Sequence, residues 1–188
     1  MTECITTSRW MSATLSIKLT QAAIAFSLSA CGGGGVRTDP PESPTLAQQI
    51  ETLEKTGQLP LLDRSKDLRG PDADNNGIRD DIDAWITAQL ITDAQKKAAQ
   101  QMARVQQAKI LVDLSDKSAL QMLGDQSMRA VSCLVDVFKP DVQKGSDLRG
   151  HLEAMMANTK ERAKQYLAYN RARSGSVTEL PAGNTCES

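Results

Sequence analysis

An acidic loop at residues 72–83, with the sequence DADNNGIRDDID, carries the clearest chemical pattern in this chain. Side-chain oxygens recur at its first, third, fifth, ninth and twelfth positions, which are Asp72, Asp74, Asn76, Asp80 and Asp83. Gly77 stands at the sixth position, where such a loop must turn sharply, and Ile78 can offer its backbone carbonyl at the seventh. This spacing predicts an oxygen cage for a hard divalent cation, and a flexible loop suits calcium better than magnesium.

The acidic loop resembles the D-x-D-x-[DN]-G frame of EF-hand-like loops, and in particular a single calcium repeat of the thrombospondin type 3 or dockerin kind. Residues 59–71 contain two prolines and no helical period, and Asp83 replaces the longer Glu of a full EF-hand. The resemblance implies that calcium is held by Asp72, Asp74, Asn76, Ile78, Asp80 and Asp83. An acidic turn that only caps a helix is the alternative, and Asp81 is interpreted as a charge favoured at a helix N-terminus.

The N-terminal residues have the anatomy of an export signal. Residues 19–30 form a mostly apolar run behind Lys18 that is too short for a membrane span and ends in small residues. It closes on LSAC at residues 28–31, which resembles the lipobox of bacterial lipoproteins. The resemblance implies a signal peptide at residues 1–30, cleavage before Cys31 and lipidation of Cys31. Met11 is an alternative translation start, and an ordinary signal peptide followed by a chance cysteine is the competing interpretation.

Residues 31–60 are predicted to be a flexible linker, because their Gly, Pro and polar side chains bury too little apolar surface to fold. Gly32 takes the place where lipoproteins of the inner membrane typically have Asp, so the resemblance points to the outer membrane. The expected partners are the membrane, through lipidated Cys31, and an unknown envelope protein or glycan.

Two cysteines, Cys133 and Cys186, remain once Cys4 is lost with the signal peptide and Cys31 carries lipid. In an oxidising exported compartment such a pair favours a disulfide, which would pin the tail at residues 174–188. Closing that loop would stabilise the fold by about 4 kcal/mol in the chain-entropy model. Zinc is the alternative, although two cysteines without nearby histidines fall short of four ligands.

The remaining pattern is helical and predicts an all-α fold. A small bundle of four to five helices at residues 84–173 is preceded by the calcium-binding segment at residues 61–83 and by the disordered lipoprotein tether. Predicted helices occupy residues 82–91 and 93 to about 114, with Thr92 as a cap and Gln95 three residues further on. A third runs from a Ser115-Asp116 cap to Lys139-Pro140. A further segment opens at Gly145-Ser146, and residues 147–173 form either one helix or two.

Composition and charge argue against nucleic acid as a partner. The chain has 22 Lys and Arg against 23 Asp and Glu, and aromatic residues make up only 3% of it, so neither electrostatic steering nor a stacking platform is expected. The one basic concentration is interpreted as a solvated helix face rather than a site for anionic lipid; it comprises Lys160, Arg162, Lys164, Arg171 and Arg173.

Catalysis finds little support in the sequence. His151 is the only histidine, no nucleophile stands in an identifiable motif, and no glycine-rich phosphate loop precedes a helix.

The lipobox, acidic loop, helical middle and closing cysteine together resemble a group of uncharacterised bacterial lipoproteins of about this length, a resemblance that implies no activity. The predicted function is a non-catalytic interaction or accessory module with one structural calcium site. The alternative is a small calcium-dependent envelope hydrolase.

Overall fold

The structure, a computed structural model, describes residues 43–187. The predicted signal peptide, Cys31 and the first part of the predicted linker lie outside these residues. Residues 43–187 contain six helices and no strand, which confirms the all-α prediction. The helices are α1 Leu46–Lys55, α2 Asp80–Ala88, α3 Asp93–Leu111, α4 Lys117–Val137, α5 Val142–Met156 and α6 Lys160–Ala172.

Helix α3 is the centre of the bundle and packs against α2, α4, α5 and α6. Nine of its 19 residues are buried, and three of those nine are alanines, whose short side chains let neighbouring helices approach closely. Around it, the core is aliphatic and sulfur-rich, with Ile82, Ile110, Leu152 and Met156 almost completely buried. Burial of such side chains contributes roughly 2 kcal/mol each.

Helix boundaries follow the capping residues. Thr92 and Gln95 form the predicted capping box at the start of α3: Thr92 Oγ1 accepts from the Gln95 N–H at 3.3 Å, and Gln95 Oε1 accepts from the Thr92 N–H at 3.0 Å. Asp116 caps α4 as predicted, accepting from the Ala119 N–H at 2.9 Å. Thr159 caps α6, so residues 147–173 belong to two helices.

Helix α5 begins three residues before the predicted start at Gly145, because Asp141 caps it by accepting a hydrogen bond from the Lys144 N–H at 3.3 Å. Gly145 is an interior helix residue. A Cβ there would stand 3.1 Å from Phe138 Cβ, so the glycine serves a close approach to Phe138 and does not open the helix.

Helix α1 lies within residues 31–60, which the sequence pattern assigned to the flexible linker. A capping box of Thr45 and Gln48 starts this helix, and Gly57, with φ of +71°, follows its C-terminal end. None of its ten residues is buried. The ion pair between Arg64 and Glu54 joins it to the following segment. The prediction of a flexible linker followed the overall Gly, Pro and polar composition of residues 31–60. The capping box of Thr45 and Gln48 nevertheless starts a helix within this segment.

The disulfide between Cys133 and Cys186 is formed, as predicted. Cys133 lies in α4 with no exposed surface, so the bond anchors the C-terminal tail directly to the core. Gln101 of α3 holds the same tail, since its Nε2 donates to the Thr185 carbonyl at 3.0 Å and its Oε1 accepts from the Glu187 N–H at 3.1 Å. Within residues 43–187, no helix has the length and apolar character needed to cross a membrane.

Candidate metal site

The acidic loop turns through two residues with left-handed backbone conformation. Asn75 has φ of +56° and Gly77 has φ of +82°, a region that glycine enters freely and asparagine more readily than most residues. The Asp80 N–H donates to the Pro71 carbonyl at 2.9 Å and closes the loop where α2 begins. The sharp turn expected at Gly77 is therefore present.

Three of the predicted ligands, Asp72, Asp74 and Asp80, come together. Each offers a carboxylate oxygen, and these oxygens lie within 4.8 Å of one another. Asp72 is half-buried, whereas the other two are exposed. Like charges at this separation repel by about 1 kcal/mol per pair even in water, and a bound cation would remove that cost.

Backbone amides fix the orientation of all three carboxylates, and Asp74 Oδ1 accepts from the Asn76 N–H at 3.2 Å. Asp72 accepts from the Asn76 N–H through Oδ1 and from the Gly77 N–H through Oδ2, both at 3.1 Å. Asp80 Oδ1 accepts from the Ala73 N–H at 3.0 Å. The acidic loop thus wraps its own backbone around the carboxylates, which leaves their remaining lone pairs available to a ligand.

Asn76 and Asp83 are engaged differently from the three clustered aspartates. Asn76 Nδ2 donates to Asp74 Oδ2 at 2.9 Å and to Asp83 Oδ2 at 3.3 Å, while its Oδ1 accepts from the Ile78 N–H at 2.8 Å. Asp83 Oδ1 accepts from Gln100 Nε2 of α3 at 2.8 Å. Asp83 therefore stands outside the cluster, and the side chain of Ile78 is buried in the core.

Arg79 attaches the acidic loop to the bundle. Its side chain has no exposed surface, and its Nε donates to Asp81 Oδ1 at 2.6 Å. The two terminal nitrogens reach α5 and the residue that precedes the α6 cap, donating to the Met155 carbonyl at 3.2 Å and to Asn158 Oδ1 at 3.4 Å. Asp81 also accepts from the Asp63 N–H at 2.6 Å, so it is more than a charge at a helix N-terminus.

Arg162 organises the chain that leads into the acidic loop, a role that no local sequence pattern indicates. Its guanidinium has no exposed surface and donates to the carbonyls of Asp63, Asp67 and Leu68 at 2.7, 2.7 and 3.3 Å. It also donates to the Asp63 carboxylate and to Asn158 Oδ1. The hydrogen bond from Arg162 holds the pKa of Asp63 at about 2, well below its usual range.

The interpretation of the basic run as a solvated helix face is wrong for Arg162 and holds for Lys160, Lys164 and Arg171, which are exposed. No local sequence signal distinguishes Arg162 from these neighbours. His151, the only histidine in the sequence, is exposed. Its ring contacts that of Trp85 edge-on, with 6.3 Å between the ring centroids.

No protein-family model, curated protein or solved structure matches this chain. Its architecture therefore defines its class: residues 43–187 form a helical bundle with an acidic loop before α2 and a disulfide-bound C-terminal tail.

Proposed function

We propose that this chain is a lipid-anchored lipoprotein of the cell envelope, attached through Cys31, and that its acidic loop binds one structural calcium ion. In this proposal the helical bundle acts as a non-catalytic interaction or accessory module. The observation that carries the calcium site is the approach of the Asp72, Asp74 and Asp80 oxygens to within 4.8 Å of one another, in a loop with the spacing of calcium repeats.

The donor set fits a hard cation, since every candidate ligand offers oxygen. Calcium takes six to eight oxygen ligands, so three carboxylates need further donors. Asn76 Nδ2 now faces Asp74. Rotation of the Asn76 amide group by about 180° would bring Oδ1 to that position, where it could bind the ion. The Ile78 carbonyl and Asp83 are the remaining protein donors in the proposal. Asp83 would exchange its hydrogen bond from Asn76 for the ion.

A structural role for the ion follows from the attachments of the acidic loop. Ile78 and Ile82 are buried in the core, and Arg79 hydrogen-bonds to Met155 and Asn158, so the acidic loop and the start of α2 are fixed to the bundle. An ion in such a loop would neutralise clustered charge and stabilise the entry to α2. A fully ligated ion also leaves little room for a substrate, which supports a non-catalytic role.

Calorimetric titration tests the calcium site. The full chain, purified in detergent, should bind one calcium with a Kd on the order of 0.1 to 1 mM, as extracellular calcium modules do. Asp74→Asn should weaken binding at least about tenfold, equivalent to about 1.4 kcal/mol. The matched control is Asp125→Asn, an exposed α4 acid whose partner is Gln121, and it should bind as the parent does. Equal binding by Asp74→Asn would show that the site is misassigned.

The anchor and the accessory role need separate experiments. Metabolic labelling with a fatty acid should label the parent, and Cys31→Ser should lose both the label and the membrane fractionation.

Affinity capture from the native envelope, with and without chelator, should recover a partner that depends on calcium. Reproducible turnover of an envelope substrate, lost on mutating a polar residue outside residues 72–83, would favour the hydrolase alternative instead.

A further inference from the structure

A cavity of about 270 Å³ lies where α3, α4 and the C-terminal tail meet. Val105 contributes to its apolar wall. The polar side chains that line it are Gln101, Arg104, Gln126, Arg129 and Glu187. A concave site with an apolar wall and a few converging polar groups is the usual form of a small-molecule site.

The charges in this cavity favour an anion. Arg104 forms an ion pair with Glu187, the only acid that lines the cavity among the residues that the structure describes. Within residues 43–187, Arg129 has no carboxylate partner, and its contact there is to the Asn184 carbonyl at 3.5 Å. Of the described residues that line the cavity, two carry a guanidinium group and one a carboxylate, which gives this set a net positive charge.

The two sides of the cavity differ in how far their side chains are buried and hydrogen-bonded. Gln101 is 3% exposed and binds the tail through both of its amide atoms, while the disulfide at Cys186 fixes the tail one residue before Glu187. The Glu187 side chain, in contrast, is 54% exposed. Its carboxylate can therefore leave Arg104 without disturbing the backbone of the tail.

Arg104 also has a neighbour in the acidic loop. The aliphatic part of its side chain lies against Gly77 of the acidic loop, where an added Cβ would stand 3.6 Å from Arg104 Cγ. Such packing reduces the rotamer entropy that the guanidinium would lose on binding an anion.

We infer that this cavity binds a small organic anion through a carboxylate group, which displaces Glu187 from Arg104 and gains Arg129 as a second cation. Glu187 already shows that a carboxylate fits against Arg104. The planar guanidinium matches a carboxylate through two parallel hydrogen bonds, and Arg129 can add a second charge contact. Glu187 would then be an internal competitor, released when the anion binds.

The test uses succinate as the carboxylate probe and inorganic phosphate as the comparison, titrated into the full chain at constant ionic strength. Side-chain ¹H–¹⁵N signals of Gln101 and the arginines report on the cavity. We expect saturable shifts with succinate, and binding tightened at least about threefold in Glu187→Gln, because the competing charge is gone. Arg129→Gln should weaken binding about tenfold, and Arg171→Gln, an exposed arginine on α6, should leave it unchanged.

Several outcomes would overturn the inference. They are a linear response to succinate, weaker binding in Glu187→Gln, or equal loss in Arg129→Gln and Arg171→Gln. Tighter binding of phosphate than of succinate would show an anion site without the carboxylate preference. Glu187→Gln keeps both guanidinium groups and the Gln101 contacts, so the test does not depend on variants that remove buried packing.

Discussion

Gly70 lies so close to Arg79 that a Cβ on Gly70 would stand 2.5 Å from Arg79 Cδ. The same atom would come within 3.0 Å of an Arg162 terminal nitrogen, and Gly70 has φ of +67°. The residue thus brings the backbone, just before the acidic loop, between the two buried arginines of the bundle. Any side chain at this position would have to displace one of them.

Replacing Gly70 by alanine should destabilise the fold by about 3 kcal/mol. The left-handed backbone costs about 1 to 2 kcal/mol for a residue with a Cβ, and overpacking against Arg79 adds a similar amount. The matched control is Gly150→Ala, in the middle of α5, where an added Cβ meets nothing within 4 Å. This control should stabilise the fold by about 1 kcal/mol. Urea denaturation measures both, and a Gly70→Ala variant as stable as the parent would contradict the packing.

Asp63 should make stability depend on acid pH. Its folded pKa is held at about 2 by the hydrogen bond from Arg162, below its ordinary value of 3.8, so its ionised form stabilises the folded state. That contribution is complete above about pH 4 and is lost as the pH falls toward 2. Asp63→Asn should lower the free energy of unfolding by about 2 kcal/mol at pH 7, as expected for a hydrogen bond to a charged group.

Denaturation of the parent and of Asp63→Asn at a series of pH values checks this expectation. The difference between the two proteins should shrink between about pH 4 and pH 2. A difference that stays constant over this range would mean that Asp63 stabilises the fold without its charge. Asp125→Asn, on an exposed face of α4, serves as the control for a general effect of acid.

Calcium should raise the melting temperature in proportion to the logarithm of its concentration. At 100 times the Kd, a ligand that binds only the folded state stabilises it by about 2.7 kcal/mol. Chelator should reverse the increase, and magnesium at the same concentration should give less. The Asp80→Asn variant should lose the calcium response, since Asp80 is one of the three clustered carboxylates. If neither calcium nor chelator changes the melting temperature, the ion does not have the structural role proposed for it.

Loss of the disulfide should lower the free energy of unfolding by up to about 4 kcal/mol, the chain-entropy value for the loop that it closes. The Cys186→Ser variant measures this in urea, because Cys186 is only partly buried and serine fills nearly the same space. A reductant should destabilise the parent by the same amount and leave Cys186→Ser unchanged. If the reductant acts equally on both proteins, the effect does not come from this bond.

The sequence predicted the elements whose signals are local. The Thr92 capping box, the Asp116 cap and the apolar spacing of α3 and α4 each depend on residues within one or two helical turns, so these helices have nearly the expected bounds. The Cys133–Cys186 bond was predictable for a different reason, since elimination left one pair. The positions of Asp72, Asp74 and Asp80 follow from loop spacing, and they were brought together as expected.

Long-range features were not predictable in this way. Arg162 binds Asp63 from 99 residues further along the chain, and in the sequence it has the same surroundings as the exposed Lys160 and Lys164. The contact between Arg104 and Glu187 spans 83 residues, and no local pattern indicates it. Asp83 fits the loop frame, yet Gln100 of α3 takes one of its oxygens, which depends on how α2 packs against α3.

Helix α1 also has a mechanical consequence. It has no buried residue, and an ion pair between Glu54 and Arg64 joins it to the segment that follows. In a chain held at its N-terminal side, as lipid attachment at Cys31 would do, tension reaches α1 before it reaches the bundle. Unwinding ten residues would extend α1 from about 15 Å to about 33 Å. Under load, α1 would therefore lengthen the reach of the domain while the core and the acidic loop stay folded.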